Sequence, residues 1–123
     1  MLLNKYFKIL SIKEIDNLSA EYHIALLPEC NVYEGHFPGN PVCPGVCNIE
    51  CIKECVMMFT KQSLHYSSIK LCRFTALATP TNCTKLTVKF NLTNSNSSYI
   101  IQSSISDENQ TYLTIKGQLD IQQ

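Results

Sequence analysis

Hydrophobic and polar residues alternate along much of the chain, and this period of two predicts six β-strands. The predicted strands cover residues 5–15, 20–27, 69–79, 84–92, 98–105 and 111–121. Turn residues separate them at 16–17, 81–82, 94–97 and 107–109. Because short turns join consecutive strands as hairpins, the pattern favours an antiparallel sheet.

One segment follows a helical period instead. From about residue 44 or 45 to about residue 61, apolar residues recur every three or four positions. Pro44 suits the first helical position, because its missing N–H would have had no partner there. The preceding residues 30–44 are crowded with proline and glycine, which predicts a stiff loop.

The order of these elements predicts an α+β fold. Two strands, a rigid loop, one long helix and four strands indicate a curved antiparallel β-sheet wrapped around one long central helix, which is the hot-dog architecture. A length of 123 residues and an apolar share of 45% fit a single domain over residues 1–123.

Charge and hydropathy exclude several classes of function. Ten basic and ten acidic residues cancel, so no nucleic-acid partner is expected, although a local basic patch for an acidic carrier protein remains open. No apolar run is long enough to predict a membrane span. The first residues do not resemble a signal peptide, and we therefore expect a cytoplasmic protein.

The seven cysteines raise the question of a metal site. Four of them, at positions 43, 47, 51 and 55, recur every four residues from just before the predicted helix into it. Zinc sites more often combine Cys-x2-Cys pairs joined by a turn, which surrounds the ion. We therefore expect reduced cysteines that pack against the sheet, with no metal and no cofactor.

Of the three histidines, His36 is the candidate for chemistry. It lies in the stiff loop, and a base that is held in one place suits catalysis. A histidine that caps a turn would fit the same loop, and composition does not separate the two interpretations. His23 falls in a predicted strand and His65 in a predicted polar turn, where structural or solvated roles are expected.

Glu50 falls in the first two turns of the predicted helix, among apolar neighbours. A carboxyl buried there would lose hydration, which favours its protonated form and suits it to general acid catalysis. The first N–H groups of a helix have no intrahelical partner and carry partial positive charge. Gly45 would let a ligand approach them closely, so a developing oxyanion could bind at this end.

The segment from His36 to Glu50, His-Phe-Pro-Gly-Asn-Pro-Val-Cys-Pro-Gly-Val-Cys-Asn-Ile-Glu, resembles the signature of FabZ-type 3-hydroxyacyl-ACP dehydratases. Arg73-Phe74, followed by Ala78 and Pro80, is similar to a later strand of that family. The resemblance implies dehydration of an acyl carrier protein-linked 3-hydroxyacyl thioester to the trans-2-enoyl thioester, in fatty-acid, polyene or related lipid biosynthesis.

The resemblance also implies roles for individual residues. His36 would remove the C2 proton, and Glu50 would protonate or orient the departing hydroxyl. The backbone N–H groups of Gly45 and Val46 would bind the thioester carbonyl, and the carbonyl of Val42 would orient the imidazole. No cofactor is implied.

The family builds each site across a homodimer, with His36 and Glu50 from different subunits, and higher oligomers of dimers remain open. Lys70 and Arg73 are candidates for docking the acyl carrier protein. Family members usually carry glutamine where this chain has Glu54, so that residue is either solvated or shares a proton with Glu50. The alternatives are a hot-dog acyl thioesterase and a non-catalytic acyl-binding subunit.

Overall fold

The computed structural model describes residues 1–30, 45–76, 78–79 and 85–122. These residues form six strands and one helix: β1 (Phe7–Asp16), β2 (Ser19–Leu26), α1 (Gly45–Thr60), β3 (Leu64–Phe74), β4 (Lys85–Ser95), β5 (Ser98–Ser106) and β6 (Thr111–Ile121). The strands make one sheet in the order β1-β2-β4-β5-β6-β3, with antiparallel neighbours. The predicted α+β arrangement is confirmed.

The core lies between α1 and one face of the sheet. On α1, Cys51, Ile52, Cys55 and Val56 are buried, at the three- and four-residue spacing that the sequence predicted. On β4 every second residue from Leu86 to Leu92 is buried, because alternate side chains of a strand point to the same face. The cysteines at 51 and 55 therefore act as small core residues, as expected.

The hairpin turns follow the chemistry of their residues. Asp16 accepts hydrogen bonds from the Leu18 N–H and the Ser19 hydroxyl, each at 2.8 Å, and this closes the turn between β1 and β2. Asn96 adopts a φ of 57° in the tight turn between β4 and β5. Asp107 accepts from the N–H groups of Asn109 and Gln110 before β6. The predicted turn at residues 81–82 lies outside the described residues.

Strand β3 is the element that the sequence misplaced. It was predicted at residues 69–79, but it runs from Leu64 to Phe74, so His65 lies in a strand and not in a polar turn. Its pairing with β6 shifts twice, between Tyr66 and Ser68 and between Ile69 and Leu71. Each shift interrupts the alternation of side chains between the two faces of the sheet. The period-two pattern therefore did not predict the first residues of this strand.

No described helix is both long enough and apolar enough to cross a lipid bilayer. α1 has 16 residues, and one of its faces is committed to the sheet.

The first shift in β3 depends on Gly117 of β6. An added Cβ at Gly117 would lie 2.5 Å from the backbone oxygen of Ser68 and 3.3 Å from the Cα of Ile69. Since both contacts involve backbone, neither can be relieved by rotating a side chain. Glycine is therefore required for β3 to approach β6 this closely.

We expect Gly117→Ala to lower the free energy of unfolding by about 1–3 kcal/mol, because the methyl group must push β3 away from β6. Chemical denaturation followed by circular dichroism measures the change. Lys116→Ala, at the exposed neighbouring position, is the matched control and should change stability by less than about 0.5 kcal/mol. Equal stability of the two variants would contradict the packing argument.

Candidate active site

The described part of the predicted site is the first half of α1. The helix begins at Gly45 and Val46, and Glu50 lies little more than one turn further along. His36 and Val42 lie outside the described residues, so their roles stay predictions. The structure therefore places the predicted oxyanion donors and the predicted acid on one helix end.

The space beside Gly45 is occupied by the ring of Phe74, at the end of β3. An added Cβ on Gly45 would lie 2.6 Å from Cζ and 2.8 Å from Cε1 of this ring. In the single chain an aromatic side chain therefore fills the space that a Cβ of residue 45 would take, and the role of the Gly45 N–H group stays a prediction. Val46 beside it is 73% exposed and Phe74 is 55% exposed, so the helix end carries an apolar surface.

Glu50 is not buried in the single chain, in contrast to the expectation from its apolar neighbours. Its side chain is 37% exposed, because the buried face of α1 passes through Asn48, Cys51 and Ile52 instead. One carboxylate oxygen, Oε1, lies 3.0 Å from Nζ of Lys53, one turn further along the helix. A partly exposed pair of this kind contributes at most about 1 kcal/mol to stability, but it fixes a direction for the carboxylate.

Tyr66 of β3 is a neighbour of Glu50 that the sequence did not predict. Its hydroxyl donates a 2.9 Å hydrogen bond to the backbone carbonyl of Ile49, the residue before Glu50. Burial raises the pKa of Tyr66, and the negative charge of Glu50 is the next largest cause. The phenol is therefore a neutral hydrogen-bond donor beside the predicted acid. Its position follows from its pairing with Leu119 of β6, in the part of β3 that the sequence did not predict as a strand.

Glu54 has a structural role that is separate from Glu50. It is 1% exposed, and its two carboxylate oxygens accept hydrogen bonds from the N–H of Leu2 at 3.0 and 2.8 Å. Oε1 also accepts from the N–H of Leu3 at 3.0 Å. Both expectations for Glu54 are therefore wrong, because the side chain is neither solvated nor paired with Glu50.

A further hydrogen bond connects the N-terminal residues to a second residue of the same helix. The hydroxyl of Tyr6 donates to Oδ1 of buried Asn48 at 2.7 Å. Together with the bonds to Glu54, it holds residues 2–6 along α1. The two helix residues that make these bonds, Asn48 and Glu54, lie before and after Glu50 in the sequence. The predicted acid thus lies on a helix segment whose buried side is firmly anchored.

Within the ranges that the structure describes, no group of three or more His, Cys, Asp or Glu side chains is arranged to hold a metal ion. Cys43, one of the four regularly spaced cysteines, lies outside those ranges.

Sequence comparison decides the family. The family model of ApeI-like proteins, described as ApeI dehydratase, matches residues 11–116. This chain belongs to the ApeI-like dehydratase family. It is also 32% identical to the 3-hydroxyacyl-[acyl-carrier-protein] dehydratase FabZ of Legionella pneumophila, over 72% of this chain and 68% of that protein. The FabZ of Lactiplantibacillus plantarum is 27% identical over 72% of this chain and 67% of that protein.

Solved structures show the same fold. The dehydratase heterocomplex ApeI:P from Xenorhabdus doucetiae has a chain with a TM-score of 0.74 and 21% identity, covering 91% of this chain and 96% of that one. A point mutant of the fluoroacetyl-CoA-specific thioesterase FlK has a TM-score of 0.67 and 13% identity, covering 92% and 88%. The predicted hot-dog fold is confirmed, and the fold alone is common to dehydratases and thioesterases.

In this member of the ApeI-like family, the residues predicted to dock a carrier protein are accessible. Lys70 and Arg73 are both exposed on β3, which lies at one edge of the described sheet. Lys70 is the residue at the second shift in the pairing of β3 with β6. Their charges are therefore available to a partner, and docking itself stays a prediction.

We expect Glu54→Gln to lower the free energy of unfolding by about 1–3 kcal/mol, because the amide replaces one accepting oxygen with an NH₂ group that faces N–H donors. Thermal and chemical denaturation measure the change. Glu50→Gln is the matched control, since the same substitution on a partly exposed carboxyl should cost less than about 1 kcal/mol. If the two variants are equally stable, the anchoring role of Glu54 is wrong.

Proposed function

We propose that this ApeI-like dehydratase converts a 3-hydroxyacyl thioester, carried on acyl carrier protein, to the trans-2-enoyl thioester. The observation that carries the proposal is the position of Glu50, little more than one turn after the N–H groups of Gly45 and Val46 on one helix. An acid group and oxyanion donors on one helix end suit β-elimination next to a thioester carbonyl. Membership of the family supports the reaction class.

In the proposed mechanism, His36 removes a proton from C2 of the substrate. The negative charge that develops on the thioester oxygen is stabilised by the N–H groups of Gly45 and Val46, which have no intrahelical partner. The C2–C3 double bond forms as the C3–O bond breaks, and the hydroxyl leaves as water with a proton from Glu50. Val42 orients the imidazole of His36 through its carbonyl.

The ion pair between Glu50 and Lys53 sets a condition on this mechanism. Glu50 must carry a proton to act as an acid, and a protonated carboxyl is no longer attracted to the Lys53 ammonium. The ion pair therefore has to open when substrate binds. Because both side chains are partly exposed, little stability is lost when it does.

We propose further that the site is completed by a second hot-dog subunit, with residues 1–123 as one domain. Exposed apolar side chains surround the helix end and the neighbouring edge strand, namely Val46, Ile69 and Phe74. A patch of this kind at a sheet edge is typical of an association surface. A second copy of this chain is the proposed partner, and the ApeI:P heterocomplex supports a related subunit as the alternative.

We expect the purified protein to form enoyl thioester from a 3-hydroxyacyl-ACP. His36→Ala and Glu50→Gln should each reduce turnover by at least about a hundredfold, because each removes a proton-transfer group. Mass spectrometry of the carrier-bound acyl group detects the loss of water. Release of free acid in place of enoyl product would favour a thioesterase on this fold, and a folded protein inert to such substrates would favour an acyl-binding subunit.

Mixing the two inactive variants tests whether the site is shared. If His36 and Glu50 come from different subunits, a mixed dimer has one intact site, and random mixing should restore about a quarter of the wild-type activity. If both residues come from one chain, every site in the mixture lacks one of them and no activity returns. Each variant incubated alone is the control.

We expect charge reversal at Lys70 and Arg73 to raise KM for the carrier-linked substrate by about tenfold, because an acidic carrier loses its electrostatic attraction. KM for the same acyl group on pantetheine should not change. Lys8→Glu with Lys13→Glu, exposed on β1 at the other edge of the described sheet, is the matched control. Equal effects of the two pairs on KM would argue against docking at β3.

A further inference from the structure

We propose that Tyr66 is a positioning residue for Glu50, acting through its hydrogen bond to the carbonyl of Ile49. The inference deepens the proposed function and rests on it, since it assumes that Glu50 contacts the substrate. What the structure adds is a second element, the edge strand β3, that determines where the turn carrying Glu50 lies.

The placement of Tyr66 follows from the register of β3. Tyr66 pairs with Leu119, which is fully buried on the helix side of β6, so the tyrosine side chain also points toward α1. Its hydroxyl lies 2.9 Å from the carbonyl oxygen of Ile49. That carbonyl belongs to the peptide unit that continues into the nitrogen of Glu50, and peptide units are planar. The accepting oxygen is therefore only two bonds from the backbone nitrogen of Glu50, within one planar unit.

This hydrogen bond is additional to those that form the helix. In an α-helix the carbonyl of residue 49 accepts from the N–H of residue 53, and a carbonyl oxygen has two lone pairs. The Tyr66 hydroxyl uses the second one. Because the helix does not depend on it, removal of the hydroxyl should move the turn without unfolding it.

Tyr66 also lies within electrostatic reach of Glu50. Burial is the largest cause of the raised pKa of Tyr66, followed by the negative charge of Glu50 and by the thiols of Cys51, Cys72 and Cys55. The phenol consequently stays neutral at the pH of catalysis and remains a donor. The acid and its supporting hydroxyl are thus coupled through charge as well as through the backbone.

The same strand holds the helix at a second point. Phe74, at the end of β3, packs on Gly45, and Tyr66, near its start, bonds to Ile49. These two contacts along one strand hold the first helical turn and a half beside β3, in the rotation that the buried face of α1 determines. The alignment of a proton donor affects the reaction rate steeply. Loss of the hydrogen bond from Tyr66 to Ile49 should therefore lower kcat strongly and affect substrate affinity little.

The test compares Tyr66→Phe with Tyr99→Phe. The Tyr99 hydroxyl donates to Oε1 of Gln62 at 2.5 Å, just beyond the other end of α1, so both variants lose one hydroxyl hydrogen bond from a half-buried tyrosine. We expect kcat to fall by about tenfold in Tyr66→Phe, with KM unchanged. Tyr99→Phe should keep the wild-type kcat, and thermal unfolding should show similar small losses for both.

A second comparison asks whether Tyr66 acts through Glu50. In a Glu50→Gln background, Tyr66→Phe should cause no further loss of kcat, because the group that it positions is already absent. Equal kcat values for the two tyrosine variants, or a full additional tenfold loss in the Glu50→Gln background, would overturn the inference.

A spectroscopic readout separates this inference from the proposed function. The carboxyl carbon resonance of Glu50, assigned by its disappearance in Glu50→Gln, should move in Tyr66→Phe and stay in place in Tyr99→Phe. This measurement does not require turnover. If the wild-type protein dehydrates no substrate and the resonance still moves, the proposed function fails and the positioning role stands. If the resonance stays in place in both variants, the positioning role fails.

Discussion

The packing of one helix against one face of an antiparallel sheet is the constraint on which the other features depend. Each buried side chain of this size contributes about 1.5–3 kcal/mol, so the buried face of α1, with Ile52 and Val56 at its centre, determines the rotation of the helix. That rotation leaves Glu50 at the border of the buried face, where it is partly exposed, and turns Glu54 inward. The site is therefore a consequence of core packing.

Because of this rotation, the neighbouring carboxyls of Glu50 and Glu54 have different surroundings and different roles. Glu54 is satisfied by backbone N–H groups from the start of the chain, and Glu50 has a partner, Lys53, that it can give up. A buried carboxylate that accepts three hydrogen bonds from two backbone N–H groups is costly to disturb, whereas a partly exposed ion pair is not. The chain thus commits one acidic residue to the fold and leaves the other available to a ligand.

Much of the fold could be predicted from the sequence, because α1, β4, β5 and β6 keep an uninterrupted period. The predicted helix end differs from the observed Thr60 by a single residue. Strand β3 was predicted to begin at residue 69 and begins at Leu64, because its two shifts in pairing interrupt the alternation of faces. Of the site, only the position of Gly45, Val46 and Glu50 in the first turns of the helix is confirmed, and their roles stay predictions. The role of Glu54 was missed, because its partners are backbone groups that leave no pattern in the side chains.

The irregular pairing of β3 has a consequence for how the protein avoids unwanted association. A straight, regular edge strand offers its outer hydrogen-bonding groups to almost any extended peptide and is a starting point for aggregation. The shifts next to Ser68 and Ile69 divide the hydrogen-bonding groups of β3 into short stretches, and the direction in which these groups point changes from one stretch to the next. A strand from an unrelated chain can match at most one stretch at a time. The edge is consequently selective, and a partner that pairs along its whole length must carry a compatible irregularity of its own.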